Sequence, residues 1–171
     1  MVATAVHSIE IELAWGWHDR ERENRYESLS SDRTTETETL VWLLDIADKY
    51  RIPFTFDIVA HLLCPSCDGS HAGPHSPGWF KEDPGTDVGT DPLFYAPDLV
   101  RMIQDARVDH EICTHTFSHV SADNADAEVV RWELERAVEN HRDFGLPTPR
   151  SFVPPRHQCP SYGVFETVPI M

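Results

Sequence analysis

The sequence predicts an α/β fold with about four parallel strands. Three observations carry this: short alternating or apolar runs that start near Val6, Phe54, His110 and Arg150, three- and four-residue apolar spacing in the segments between them, and Gly- or Pro-containing turns at the joins. The resulting order, βαβαβαβ, argues for a parallel sheet with crossover helices, and such folds place their chemistry at the C-terminal ends of the strands.

The first strand spans about Val6 to Ala14 and carries Glu10 and Glu12 on one side, with Ile9, Ile11 and Leu13 on the other. Two carboxylates on an otherwise apolar strand are costly unless they face a polar cavity or a cation. A charged, aromatic loop follows from Trp15 to Arg33. Ser31 or Asp32 could cap a helix over residues 34–50, whose apolar face is Leu40, Leu43, Leu44, Ala47 and Tyr50. Pro53 opens a second strand, about Phe54 to Ala60. The segment from His61 to Pro97 is a long insertion loop rich in Gly, Pro, Asp and His, and loops of that length are usually functional or flexible. A helix at about Ala96–Ala106 and a strand at about His110–Thr114 come next. The last helix, about Asn124–Phe144, presents Val130, Leu134, Ala137, Val138 and His141, and Gly145 with Pro147 ends it. A fourth strand at about Arg150–Val153 stops at Pro154-Pro155.

The chain has 171 residues, which points to one domain. That is short of the ~250 residues typical of a complete eight-fold α/β barrel. There are 29 acidic and 14 basic residues, a net charge of −15, and only Lys49 and Lys81 are lysines. Such a surface repels phosphate backbones, which argues against nucleic-acid partners. Two readings of the acidity remain: a halophilic-type surface that stays hydrated in high salt, or a face that attracts cationic sugars. The even spread of the acids favours the first. Residues 1–14 lack a basic leader, and no run reaches the ~20 apolar residues of a membrane helix. The expectation is a soluble, cytoplasmic protein with no membrane partner. Cys64, Cys67, Cys113 and Cys159 are too few for a disulfide scaffold.

The chemistry concentrates in residues 115–119, His-Thr-Phe-Ser-His. Two imidazoles four apart can reach one ion if the segment turns helically. A pair at this spacing also arises by chance in a chain with ten histidines. Position adds weight, because the pair follows strand three and the Glu10/Glu12 pair ends on the same rim. Two imidazoles and a carboxylate with open positions have the form of a catalytic metal site. A second carboxylate beside it could take a proton from water.

With these residues in view, the chain resembles the polysaccharide deacetylase family, also known as the NodB-homology or carbohydrate esterase four family. His-Thr-Phe-Ser-His (115–119) is similar to the family's second motif. Ser-Ile-Glu-Ile-Glu-Leu-Ala-Trp-Gly (8–16) resembles its first motif in an acid-x-acid form. Ser-Phe-Val-Pro-Pro-Arg (151–156) resembles the third, which lines the substrate groove, with Val153 where the family has arginine. The resemblance implies an incomplete (β/α) barrel of the NodB-like, seven-stranded, TIM-like type: one domain over residues 1–171, C-terminally truncated, with the 61–97 insertion. No histidine follows His157, so the family's later leucine–histidine pair has no counterpart in this chain.

The resemblance further implies roles. Glu12, His115 and His119 would bind a divalent metal ion, zinc by preference, and Glu10 would be the general base. Thr116 or Ser118 would buttress the loop, and the Arg156 amide would serve the oxyanion. Trp15, Pro155 and Arg156 would contact substrate. The reaction would be hydrolysis of a carbon–nitrogen (non-peptide) bond, releasing acetate from an acetylated amino-sugar polymer or oligomer. Rival readings are a catalytically incomplete relic that binds metal or carbohydrate, and an amidase of small ureide-like molecules on the same barrel. A second chain or copy could complete the barrel.

Other residues are read against plainer alternatives. Cys64, Cys67, His71 and His75 could form a small structural zinc site, or be incidental to the insertion. Trp15, Trp17 and Trp79 could stack on sugar rings or simply pack. Cys113 reads as a core thiol, and His7, His18, His61, His110 and His141 as structural or solvent-facing. Asp87 and Asp91 fit a solvated acidic loop better than a substrate contact.

Overall fold

The computed structural model describes residues 5–20, 23, 26–123 and 125–159. Three strands, β1 (Ser8–Ile11), β2 (Thr55–Ile58) and β3 (Glu111–Thr114), form a parallel sheet in the order β1-β2-β3. The helices are α1 (Thr34–Tyr50), α2 (Pro97–Gln104) and α3 (Ala127–Phe144). The fourth predicted strand is reduced to one parallel bridge, Thr114 to Phe152, because the following prolines remove the donors a longer ladder needs.

The register explains the two faces of the sheet. Ile9, Phe56 and Ile112 form one cross-strand row, and Ile11, Ile58 and Thr114 another. Phe56 and Ile58 have no solvent exposure and pack in one cluster with Leu40 and Leu44 of α1 and Leu99 and Ile103 of α2. Full burial of a leucine or isoleucine is worth about 1.5–3 kcal/mol, so this cluster anchors both helices to the sheet. The opposite face carries the row Glu10, Asp57 and Cys113. Asp57 is fully buried and was not anticipated as a feature of strand two. Its Oδ1 accepts from the Cys113 thiol at 2.6 Å, and its Oδ2 from the Ser8 hydroxyl.

The helix ends follow local chemistry, with some departures. Arg33 in the left-handed region, rather than Ser31 or Asp32, occupies the position before α1. The Asp32 and Ser30 side chains still accept from the first-turn amides of Thr34 and Thr35, each at 3.1 Å. Tyr50 is 60% exposed rather than part of the apolar face; it is the last helical residue, and the chain turns away after it through Arg51 in the left-handed region. Asn124, the expected start of the last helix, lies outside the described residues. Val138 is only half-buried, while Glu133 and Asn140 take the inward positions. Gly145, at φ 89°, closes α3, and the Leu146 amide reaches back to the His141 carbonyl at 2.8 Å.

The 61–97 insertion opens with a 3-10 turn at Ala60–Leu63, and Ser66 bridges Asp87. Among the described residues no helix is long and apolar enough to cross a membrane.

Candidate functional site

Strand β1 ends at Ile11, and a 3-10 turn over Leu13–Gly16 carries the chain off the sheet with Glu12 at its entry. Strand β3 ends at Thr114 and delivers His115. The His115 amide donates to the Ile58 carbonyl at 2.8 Å, which ties this segment to the end of β2. One ligand atom from each of Glu12, His115 and His119 lies within 4.8 Å of the other two. Glu12 Oε2 and His119 Nε2 are 2.8 Å apart.

The surroundings aim these groups at one another. His115 Nδ1 donates to the Val153 carbonyl at 2.8 Å, which places the ring's lone pair on Nε2. That Nε2 is buried and has no hydrogen-bond partner among the described residues. Burial, reinforced by His119, pushes the His115 pKa down to about 4, so the ring is neutral and free to donate electrons. Burial raises the Glu12 carboxyl, but the His119 contact outweighs it and holds the group below its ordinary value, hence ionised. One carboxylate and two imidazoles, with an orphaned buried nitrogen on His115, suit a divalent ion such as zinc.

Gly16 leaves room for the carboxylate. A Cβ built there would sit 2.0 Å from Glu12 Oε2. Backbone strain gathers in the same place. Five of the seven non-glycine residues with positive φ among the described residues are Leu13, Thr116, His119, Arg156 and His157. Each such residue costs on the order of 1–3 kcal/mol, and such strain persists where surrounding structure over-determines it.

The loop between the histidines is held from below. Glu133 of α3 is fully buried, and its carboxylate accepts from the Ser118 amide at 2.7 Å and the Ser118 hydroxyl at 2.5 Å. The same carboxylate meets His75 Nε2 at 2.8 Å. Thr116 Oγ1 accepts from the Val120 amide at 3.2 Å. Sequence reading missed Glu133 because an acid on an exposed-looking helix resembles ordinary solvated charge.

Glu10 lies on the polar face of the sheet, its side chain one-third exposed and its Oε1 3.9 Å from His157 Nε2. Burial, then the neighbouring Glu12 charge, raises its pKa. Arg156 is gripped by Asp19, another residue not anticipated, through two bonds of 2.9 and 2.6 Å. Both residues line a cleft of about 380 Å³ together with Trp79, His75 and Ser121. A larger cavity, about 450 Å³, lies around Cys64 and Asn140 and contains none of the groups of this site.

Two expected substrate contacts do not reach a ligand surface. Trp15 is fully buried, because the 3-10 turn swings its indole into the core, where Nε1 donates to the Phe94 carbonyl at 3.1 Å. Pro155 is also buried. The expected zinc group in the insertion is split. Cys64 Sγ accepts from the Asn140 amide at 3.1 Å and His75 pairs with Glu133, while Cys67 and His71 meet two unexpected partners, His61 and Asp83.

The profile of the polysaccharide deacetylase family matches residues 20–162. The chain belongs to this family. The matched span of the deacetylase domain holds His115, His119 and Arg156, and Glu10 and Glu12 lie ahead of it. Solved structures share its fold. A CE4-family pseudoenzyme from Bacillus anthracis superposes with a TM-score of 0.54 at 17% identity, over 94% of this chain and 38% of that one. A candidate polysaccharide deacetylase from Mycobacterium smegmatis gives 0.57 at 18% identity, over 92% and 45%. The deacetylase-family chain therefore spans less than half the length of either solved protein. No curated protein matches it.

Proposed function

We propose that this chain carries the metal-binding part of a hydrolase that removes N-acetyl groups from amino sugars in polysaccharides or oligosaccharides. The convergence of Glu12, His115 and His119 at one rim of the sheet is the observation that supports this reading. These three residues would hold a divalent cation, and zinc fits the donor set best. When bound, such an ion supplies Lewis acidity, which polarises an acyl carbonyl and acidifies water.

The chain's own groups divide the remaining work. Glu10, with its pKa raised by burial and by Glu12, is suited to take a proton from water at the rim. Asp19 fixes the Arg156 guanidinium at the wall of the cleft, where a sugar could rest against Trp79. The ring faces of pyranoses suit such an aromatic wall.

The test measures acetate release from N-acetylglucosamine oligomers by the full chain, together with metal content of the wild type and of His115→Ala and His119→Ala. Loss of one metal equivalent together with acetate release in the variants supports the proposal. Metal binding without acetate release in the wild type replaces it with a non-catalytic binder, and ammonia release from small ureides replaces it with an amidase. Full metal occupancy in both variants removes the site assignment.

A further inference from the structure

We propose that His61, Cys67, His71 and Asp83 form a second divalent-metal site, of structural zinc type, that staples the 61–97 insertion to the end of β2. One ligand atom from each lies within 4.8 Å of all the others. Asp83 Oδ2 is 3.1 Å from His61 Nε2, 2.6 Å from His71 Nε2 and 3.2 Å from Cys67 Sγ. Cys67 Sγ is 3.7 Å from His61 Nε2 and 3.8 Å from His71 Nε2. Tetrahedral zinc with bonds of ~2.0–2.3 Å sets edges of roughly 3.3–3.6 Å between ligand atoms, and the observed separations bracket that range.

The outer contacts favour a cation over a self-contained polar network. His61 Nδ1 lies 3.3 Å from the Phe94 carbonyl, which can only accept. Nε2 in turn faces the Asp83 carboxylate, so a neutral ring has one proton for two nitrogens that both face acceptors, and with it on Nδ1 the Nε2 lone pair meets the carboxylate, lone pair against lone pair. A second proton would make the ring an imidazolium at a position with no solvent contact. A divalent ion satisfies the nitrogen, the oxygen and the sulfur together. Asp83 Oδ1 is already engaged by the Tyr95 hydroxyl at 2.7 Å and the Gly85 amide at 3.1 Å, leaving Oδ2 for the cluster. The Gly69 amide donates to Cys67 Sγ at 3.3 Å, as expected for a thiolate ligand. The rings of Trp15, Phe80 and Phe117 stand around His61 and His71, at 4.3, 4.6 and 5.3 Å between centroids, and shield the His61 side of the cluster. Mixed thiolate and imidazole donors select zinc over magnesium or calcium.

The site has a structural reason to exist. The insertion has little regular structure of its own, and a shared ion closes its turns onto His61. The His61 amide in turn donates to the Phe117 carbonyl at 3.0 Å, and Trp79 of the insertion donates to Ser118 Oγ at 2.8 Å. The staple thus supports the His115–His119 loop from outside.

The test loads the full chain with cobalt(II) and records its spectrum alongside metal content. A Cys67-bound ion gives a thiolate-to-cobalt charge-transfer band in the near ultraviolet, whereas the Glu12 site contains no sulfur and gives none. The band is expected in the wild type and in His115→Ala, which loses only the other ion, so the two sites fail independently. Cys67→Ser is expected to lose the band and one metal equivalent. No band in the cobalt-loaded wild type, or an unchanged band in Cys67→Ser, overturns the proposal.

Discussion

The Glu12 carboxylate meets the His119 imidazole, Oε2 to Nε2, at 2.8 Å, although the two residues leave opposite edges of the sheet. Strand β2 separates them. The contact forms because the chain turns inward past both β1 and β3, over Leu13 and over Thr116, each at positive φ. The behaviour of the site depends on how firmly those two turns are held.

Gly16→Ala is expected to weaken metal binding without touching a ligand. The added methyl occupies the place of Glu12 Oε2, so the carboxylate must swing away from His119. Perturbing a group that orients a ligand typically costs about 10–100-fold in metal affinity. Competition with a chromogenic chelator measures this, and an unchanged affinity would show that Glu12 does not depend on this turn.

Glu10→Gln is expected to keep metal and lose turnover. The amide is nearly isosteric but cannot accept the proton, and general-base contributions run to about 10²–10⁴-fold in rate. Metal content near that of the wild type, with acetate release down by at least a hundredfold, is the expected pair of results. Equal loss of both would make Glu10 a ligand instead.

Glu133→Ala is expected to destabilise the fold and loosen the histidine loop together. It strips the Ser118 amide, the Ser118 hydroxyl and His75 of a shared buried acceptor. Orphaned buried donors cost about 1–3 kcal/mol each, so urea unfolding should show a loss of several kcal/mol. Metal affinity should fall in the same variant. A loss below about 1 kcal/mol would mean that these donors find water instead.

Stability is expected to decline in acid partly through His141. Burial, opposed by the Pro147 backbone, pushes its pKa down to about 4. An unfolded histidine titrates near ~6.5. Above that pH the ring is neutral in both states and contributes nothing to the pH dependence. As the pH falls toward 4, only the unfolded chain takes up the proton, and stability drops by up to about 3 kcal/mol. His141→Leu should flatten this part of the profile in urea melts at pH 7 and pH 5. Identical pH slopes for variant and wild type would rule out this contribution.

Much of this was legible in the sequence. The α1 expectation at residues 34–50 coincides with the observed helix, because three- and four-residue apolar spacing is a local pattern with one good solution. The strand cores at Ser8–Ile11, Thr55–Ile58 and Glu111–Thr114 fall inside the predicted segments for a similar reason. Fraying came where tertiary pairing decides length. Arg150–Val153 has strand-like residues but finds a single bridge, since a strand extends only as far as its partner and its own donors allow.

The sequence by itself determined the order of elements, the family and the residue types at the rim: acid-x-acid at the end of one strand and His-Thr-Phe-Ser-His after another. Only the tertiary structure decided which of these side chains meet. It buried Trp15, tied Arg156 to Asp19, and replaced Cys64 and His75 in the insertion cluster with His61 and Asp83. Periodicity reports which face of its own element a residue occupies. Whether two groups far apart in the chain come within bonding distance depends on turn angles and on backbone contacts between elements, and local sequence spacing does not encode those.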